Sequence, residues 1–348
     1  MAKGGRMRVT NFIVNIVQMR ESSFNIGIKM GKLIKNSSLI KSFESITKPE
    51  IDYQNMESIY STFAPYLLEE LEGLSQGLEM PLNRTAALFG GYDLPRTEAL
   101  GCSAIMTRDY YVRNYDFSPD LYDGLFSLVQ PDSRFATAGY NLQLLGRHDG
   151  VNQEGLVAGL HFVSNQGFTK GVSAWMAVRM MLDSCSTTEE AIAMLKEIPH
   201  AACYNFSLGD KKGDIAVVEA SPDQVVVRRG LSVLSCVNHF QDDTIKDKNR
   251  PSITHSVKRS NYLSELSEKH YRHTEMFEEF NSVGSPLFFM DYDDLFGTLH
   301  TFSYSYQDTR ILTAVARGKM TLDINFQKWI DGENVNRTIL EGLIDEQK

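Results

Sequence analysis

The chain changes texture at one dipeptide, Gly101-Cys102. Upstream of it, apolar residues recur at helical spacing. Ile26, Met30 and Ile34 fall four apart within 24–35. Ile59, Phe63, Tyr66, Leu67, Leu71 and Leu74 form one stripe through 50–75, with Glu69, Glu70 and Glu72 off it. A period near 3.6 buries one face of a helix. A further helix is predicted near 84–92, running into the loop Gly90-Gly91-Tyr92-Asp93-Leu94-Pro95. The upstream exception is Phe12-Ile13-Val14-Asn15-Ile16-Val17. It reads as part of a strand around 9–18, being too short and too interrupted for the core of a signal peptide. Residues 1–6 read as a leader ahead of an alternative start at Met7.

Downstream, short β-prone runs replace the helical period. Those at 103–107 and 110–114 are separated by Arg108-Asp109, the length of a tight hairpin loop. Runs at 125–130, 134–138 and 156–163 follow. Helices are predicted at 173–183 and 188–198, the second opened by the capping-box pattern Ser186-Thr187-Thr188-Glu189. Strands return at 205–209, 214–219, 224–229 and 231–237, at hairpin spacing. Helices at 255–269 and 273–281 precede strands at 297–306 and 309–316. The polar stretch 241–254 reads as a long surface loop. Strands, then helices, then strands again exclude a succession of βαβ units and point to an α+β fold, antiparallel sheets covered by helices.

Such a fold needs apolar mass, and 348 residues at 42% hydrophobic and 23% charged supply it. The net charge of −9 argues against nucleic acid as a partner. No apolar run approaches the roughly 20 residues of a membrane span. The cysteines Cys102, Cys185, Cys203 and Cys236 include no CxxC pair, so neither a zinc ribbon nor a thioredoxin-type redox site is expected. No metal or cofactor is implied, and the expected setting is a reducing cytoplasm.

Four segments carry polar residues that could do chemistry, each with a plain structural counterpart. Gly101-Cys102-Ser103-Ala104-Ile105 opens the hairpin whose return strand is Val112-Arg113-Asn114-Tyr115-Asp116-Phe117. An Arg near a thiol favours the thiolate, although a lone cysteine is more often a small buried hydrophobe. Asp149-Gly150-Val151-Asn152-Gln153-Glu154-Gly155-Leu156 reads otherwise as a surface turn. Ser235-Cys236-Val237-Asn238-His239-Phe240 ends an apolar strand, and its His239 would be the partner in any Cys-His dyad. Ser256-Val257-Lys258-Arg259 opens a helix and would otherwise be a solvated basic turn.

In order and spacing these four segments resemble the Ntn (N-terminal nucleophile) hydrolases of the choloylglycine hydrolase and isopenicillin N acyltransferase group. The resemblance covers 101–259, and the later Gly297-Thr298-Leu299-His300 is compatible with it. It implies a four-layer αββα sandwich. It also implies self-cleavage between Gly101 and Cys102, because 101 residues precede the cysteine and 247 begin with it. That position resembles the acyltransferase branch, in which a small helical subunit is cut from a larger catalytic one. The corresponding division is a helical segment over 1–101 and a catalytic domain over 102–348. The departure is Ser103, where several relatives have Thr; the hydroxyl is kept.

The resemblance also assigns roles. Cys102 attacks the acyl carbonyl, and its freed α-amino group serves as base. Arg113 favours the ionised thiol and Asp116 orients the amine. Asn152, by its backbone N–H, and Asn238, by its side-chain amide, form the oxyanion hole, and Arg259 balances charge. The implied substrate is a small N-acyl compound cleaved at a linear, non-peptide C–N bond. Two alternatives stay open. One is acyl transfer to an amine from a CoA thioester or amide donor, although no GxxxxGK[ST] phosphate loop is present. The other is an uncleaved binding or structural protein. The cut segments are expected to stay associated, and a homo-oligomer is compatible.

Overall fold

The computed structural model describes residues 8–96, 101–292 and 296–346. The leader expected over 1–6 lies outside them. The chain starts with β1 (Arg8–Glu21), in which buried Phe12, Val14 and Ile16 alternate with exposed Asn11, Ile13 and Asn15. Five helices follow: α1 (Ser23–Ile34), α2 (Leu39–Ile46), α3 (Tyr53–Phe63), α4 (Pro65–Leu78) and α5 (Leu82–Phe89). The stripe read as one helix over 50–75 is therefore two. Pro65 disfavours the helical conformation at Ala64, which sits at φ −155°, and itself opens α4.

Next come β2 (Gly101–Thr107), β3 (Tyr110–Phe117), β4 (Leu125–Pro131), β5 (Thr137–Leu142), β6 (Gly146–Asn152) and β7 (Val157–Ser164). Helices α6 (Ala174–Ser184) and α7 (Thr188–Glu197) separate these from β8 (Cys203–Gly209), β9 (Ile215–Ala220), β10 (Val225–Gly230) and β11 (Val233–Cys236). After α8 (Thr254–Ser267) and α9 (His273–Phe280) come β12 (Met290–Asp291), β13 (Phe296–Ser305), β14 (Arg310–Val315) and β15 (Leu322–Asn325). The short α10 (Phe326–Ile330) and β16 (Ile339–Glu346) complete the described chain.

The strands form two sheets. One has nine strands in the order β10-β9-β8-β7-β6-β5-β4-β1-β16. The other has seven, ordered β11-β2-β3-β13-β14-β15, with β12 beside β13. The sheets face one another, α6 and α7 cover the first, and α8 and α9 cover the second. This is the αββα sandwich. The expectation of two antiparallel sheets needs one amendment, since β1 pairs β4 in parallel. The hairpin spacing of β10 and β11 also misleads, because these strands part into different sheets at Leu231.

The N-terminal segment is built into this frame. β1 lies between β16 and β4 inside the nine-stranded sheet. Glu70 of α4 pairs with Arg179 of α6 at 2.6 Å, and Arg179 also holds Asp183 at 2.6 Å, all three buried. α1 and α4 cross so closely that a Cβ on Gly27 would strike the Glu70 carbonyl, and one on Gly73 that of Phe24.

Candidate active site

The β2–β3 hairpin sets the geometry. Its register pairs Gly101 with Asp116, Cys102 with Tyr115 and Ala104 with Arg113. Paired residues share a face and successive ones alternate. Cys102, Tyr115 and Arg113 therefore point between the sheets, whereas Asp116 lies beside Gly101 on the other face. The Cys102 thiol is fully buried and accepts a hydrogen bond from Arg113 Nη2 at 3.3 Å. Burial pushes this thiol above its ordinary value, and Arg113 draws it only part of the way back. Arg113 thus acts on the thiol in the expected direction, but in the uncleaved chain the cost of burying the thiolate is larger.

Arg113 is held from the opposite sheet. Its Nη1 donates to Asp149 Oδ2 on β6, and its Nη2 also donates to the Leu160 carbonyl on β7. Asp149 Oδ2 further accepts from His300 Nε2 at 2.9 Å. With burial keeping His300 neutral, its Nδ1 accepts from Tyr122 Oη at 2.7 Å. Burial opposes ionisation of Asp149, but His300 and Arg113 outweigh it and bring its pKa down to about 2. A bulge in β13 makes this possible. The register steps from Thr298↔Asp116 to His300↔Tyr115, skipping Leu299, which turns His300 into the layer between the sheets. Asp149 and His300 fall in segments quoted from the sequence, but neither was given a role there. Asp149 sits in the polar run Gly146-Arg147-His148-Asp149, which looks like a loop. It is strand interior, and the turn expected there falls after Asn152, where Gly155 takes φ +81°.

On the Gly101 side, Asn238 and Arg259 converge. The Cys102 backbone N–H donates to Asn238 Oδ1 at 2.6 Å, and Arg259 Nη2 donates to the same oxygen at 2.9 Å. Arg259 Nη1 donates to the Cys102 carbonyl and to Ser103 Oγ, the latter at 3.0 Å. Asn238 Nδ2 is turned the other way, toward the Phe162 carbonyl at 2.9 Å. Asp116 accepts from Thr298 Oγ1 at 2.7 Å through Oδ1, while its buried Oδ2 has no partner. Burial raises its pKa to about 6, against the pull of Arg259 and Thr298. A Cβ on Gly101 would come within 2.7 Å of that free oxygen and 2.5 Å of Phe296 Cζ, so a larger residue would have to displace both side chains.

Cys102, Arg113, Asn238 and Arg259 are thus brought together, with Asp116 across from Gly101. Asn152 is not. Its backbone N–H, the expected oxyanion donor, is spent on the Leu156 carbonyl at 3.0 Å. Its side chain holds the Leu182 and Cys185 carbonyls at 2.9 and 2.7 Å. Asn152 locks a β-turn onto the end of α6, which is why the Asn-x-x-Gly-Leu pattern exists. His239 bonds Ser256 Oγ at 2.8 Å through Nδ1 and has no bond to a thiol among those described. Cys185, Cys203 and Cys236 are buried and unbridged.

From the thiol's face an apolar cleft runs outward. Tyr115, the cross-strand partner of Cys102, lines it together with Leu160, Tyr204, Leu142 and Trp175, and Phe43, Ile46, Leu94 and Pro95 come from the N-terminal segment. Among the described residues no His, Cys, Asp or Glu group could hold a metal ion. No described helix is long and apolar enough to cross a membrane.

A family model described as acyl-coenzyme A:6-aminopenicillanic acid acyl-transferase matches residues 105–319. No curated protein matches the chain significantly. Among solved structures, a variant of conjugated bile acid hydrolase from Clostridium perfringens is similar, at 13% identity and TM-score 0.46, over 72% of this chain and 97% of that one. Penicillin V acylase from Agrobacterium tumefaciens aligns at 14% identity and TM-score 0.42, over 66% and 87%. A Caenorhabditis elegans ortholog of N-acylethanolamine-hydrolyzing acid amidase aligns at 13% and 0.42, over 60% and 95%.

Proposed function

The chain belongs to the acyl-coenzyme A:6-aminopenicillanic acid acyl-transferase family, and on that premise we propose that it is a self-cleaving amide hydrolase with Cys102 as nucleophile. The observation that carries this reading is the setting of the Gly101–Cys102 peptide. The thiol lies on Arg113, the N–H of this peptide on Asn238 Oδ1 and the following Cys102 carbonyl on Arg259, and a carboxylate oxygen of Asp116 with no partner faces Gly101.

In maturation the thiol attacks the Gly101 carbonyl. An S–C bond forms, the C–N bond breaks, and the thiol proton passes to the departing nitrogen. Water then hydrolyses the thioester, releasing Gly101 as a carboxylate and Cys102 with a free amine. That amine has a reference pKa near 8 and can take the thiol proton in later turnovers. Asp116 and Asn238 Oδ1 are the acceptors that hold it. The substrate acyl group forms a thioester with Cys102 and lies in the apolar cleft, so the favoured acyl chain is apolar. Asn238 Nδ2 gives one hydrogen to the Phe162 carbonyl, and its second hydrogen is the candidate oxyanion donor, oriented because Oδ1 is occupied by Cys102 and Arg259. Such a donor contributes about 3–4 kcal/mol of barrier lowering. A second reading, transfer of the thioester to an amine instead of water, is favoured by the family's description.

The test is the state of the chain. Purified protein should run as two bands in place of one at 39.3 kDa, the larger starting at Cys102, and Cys102→Ala should stay whole. A larger fragment starting elsewhere, or an intact chain that turns over N-acyl amides, would sink the reading.

A further inference from the structure

We infer that the turn Gln143-Leu144 is the wall that limits acyl-chain length in the apolar cleft, and that Asp123 is the positioning residue that holds this wall in place. The inference rests on the reading above, in which the cleft takes the acyl group, and adds to it what sets the length of that group.

The turn joins β5 to β6 in an unfavourable backbone conformation. Gln143 and Leu144 have φ of +52° and +66°, both in the left-handed region. Hairpins that need two such residues usually place Asn-Gly there, because a Cβ is penalised. Neither residue here is of those types, so groups outside the pair must hold it. Asp123 does so. Its Oδ1 accepts from the Gln143 N–H at 2.9 Å and its Oδ2 from the Leu144 N–H at 2.6 Å. Both oxygens of a carboxylate are used, and an amide at this position would have only one to offer. Asn141 Nδ2 closes the turn further by donating to the Leu144 carbonyl at 2.6 Å.

Gln143 lines the cleft and fixes two of its neighbours. Its Nε2 donates to the Leu88 carbonyl of α5 at 2.5 Å, and its Oε1 accepts from Trp175 Nε1 of α6 at 3.1 Å. Trp175 also lines the cleft and packs on the same hairpin, where a Cβ on Gly146 would come within 2.3 Å of its ring. The other end of the hairpin is tied to the thiol. There Tyr140 pairs with Asp149, which holds Arg113, which in turn holds Cys102. From Tyr140 to Gln143 is three residues, which places the turn about 10 Å along the strand from that pair. An acyl group on Cys102 therefore starts at one end of the hairpin and meets the turn several carbons later. The segment that carries Asp123 keeps the two ends in step: Leu121 lines the cleft, and Tyr122 donates to His300, the second partner of Asp149.

The test uses protein shown to be cleaved at Cys102 and the 4-nitroanilides of straight-chain acids from acetyl to tetradecanoyl. The wild type should have an optimum length, beyond which each added pair of methylenes lowers kcat/KM by about tenfold. Asp123→Asn leaves one of the two N–H groups without an acceptor, and Gln143→Met keeps the side-chain length but releases Leu88 and Trp175. Both should reduce that step to about threefold or less, mainly through KM, because a wall that yields no longer rejects a methylene. The acetyl compound, too short to reach the turn, should keep its wild-type kcat and KM. Ratios between lengths are read within one preparation, so loss of folded enzyme cancels. A second measurement needs no turnover: the free straight-chain acids are titrated against the fluorescence of Trp175, the other tryptophan, Trp329, lying outside the cleft. The wild type should show the same length limit, and both variants should extend it. No length limit in the wild type, variants that leave the limit unmoved, or loss of the acetyl compound along with the longer ones overturns the wall and leaves the hydrolase reading standing. Cleaved wild type that hydrolyses none of the series, yet binds the acids with a length limit that both variants extend, fails the hydrolase reading and keeps the wall.

Discussion

At the scale of single residues, the strongest determinant of the site is Asp149, which places one carboxylate oxygen on both Arg113 and His300. All three are fully buried. Removing one partner of a buried ion pair strands the other charge, at a cost of about 3–5 kcal/mol. Asp149→Asn should lower stability on that scale and slow self-cleavage, because Arg113 is then no longer held against the thiol. The pH dependence has a definite sign. Since the folded protein holds the Asp149 pKa down to about 2, its contribution is present above the ordinary carboxylate value and is lost as pH falls toward 2. Asp116, raised to about 6, acts oppositely: its contribution is present below the ordinary value and is lost as pH climbs through 6. Denaturant unfolding of wild type and Asp149→Asn should therefore differ by a constant amount near neutrality, and the difference should shrink from about pH 4 to 2. A gap that widens on acidification would show that Asp149 is not the ionised partner. The sequence made Cys102, Arg113, Asn238 and Arg259 legible because their spacing follows a family order. It gave no role to Asp149 or His300 because their partners come from other strands; Asp149 reads locally as part of a polar turn, and His300 as an ordinary strand residue until the bulge before it is seen.

Among the elements, the crossing of α1 and α4 is the least tolerant contact. Gly27, Gly31, Gly73 and Gly77 let the two backbones meet, and a Cβ at any of them would fall within 3 Å of the facing main chain. An exposed helical Gly→Ala substitution ordinarily gains about 1 kcal/mol. Here that sign should reverse. Gly73→Ala should destabilise by about 1–3 kcal/mol, the usual cost of overpacking, and lower the thermal midpoint; a raised midpoint would contradict the close approach. Most of the helices were readable, α1, α4, α6, α7, α8 and α9 lying where helices were expected, whereas α2 and α10 were not read. What the period could not supply was the break at Pro65 within a continuous stripe, or β6, whose side chains are charged because they face buried partners rather than solvent. Nor could hairpin spacing reveal that β10 and β11 belong to different sheets, because the decision is made by packing against α8 and not by the loop between them.

For the molecule as a whole, the consequence of cleavage follows from where β1 lies. A cut at Gly101–Cys102 severs one peptide but removes no packing, because β1 remains hydrogen-bonded to β16 on one side and to β4 on the other. Withdrawing the N-terminal fragment would split the nine-stranded sheet between strands that begin in different fragments. It would also leave Arg179 and Asp183 buried without Glu70 and strip one wall from the apolar cleft. Unpaired strand edges are costly, and so is the loss of the two hydrogen bonds that Arg179 makes to Glu70 in a buried place. The N-terminal segment is thus part of the folded unit and, through Phe43 and Ile46, part of the site. Cleaved protein should therefore elute as one species in native buffer and melt in one cooperative transition, its two fragments parting only in denaturant. Glu70→Gln should weaken that association without preventing the cut, since Glu70 is remote from the Gly101–Cys102 bond in the hydrogen-bond network. Recovery of a folded, active 102–348 fragment free of the N-terminal one, in native buffer, would mean that β1 is not the structural strand this topology makes it.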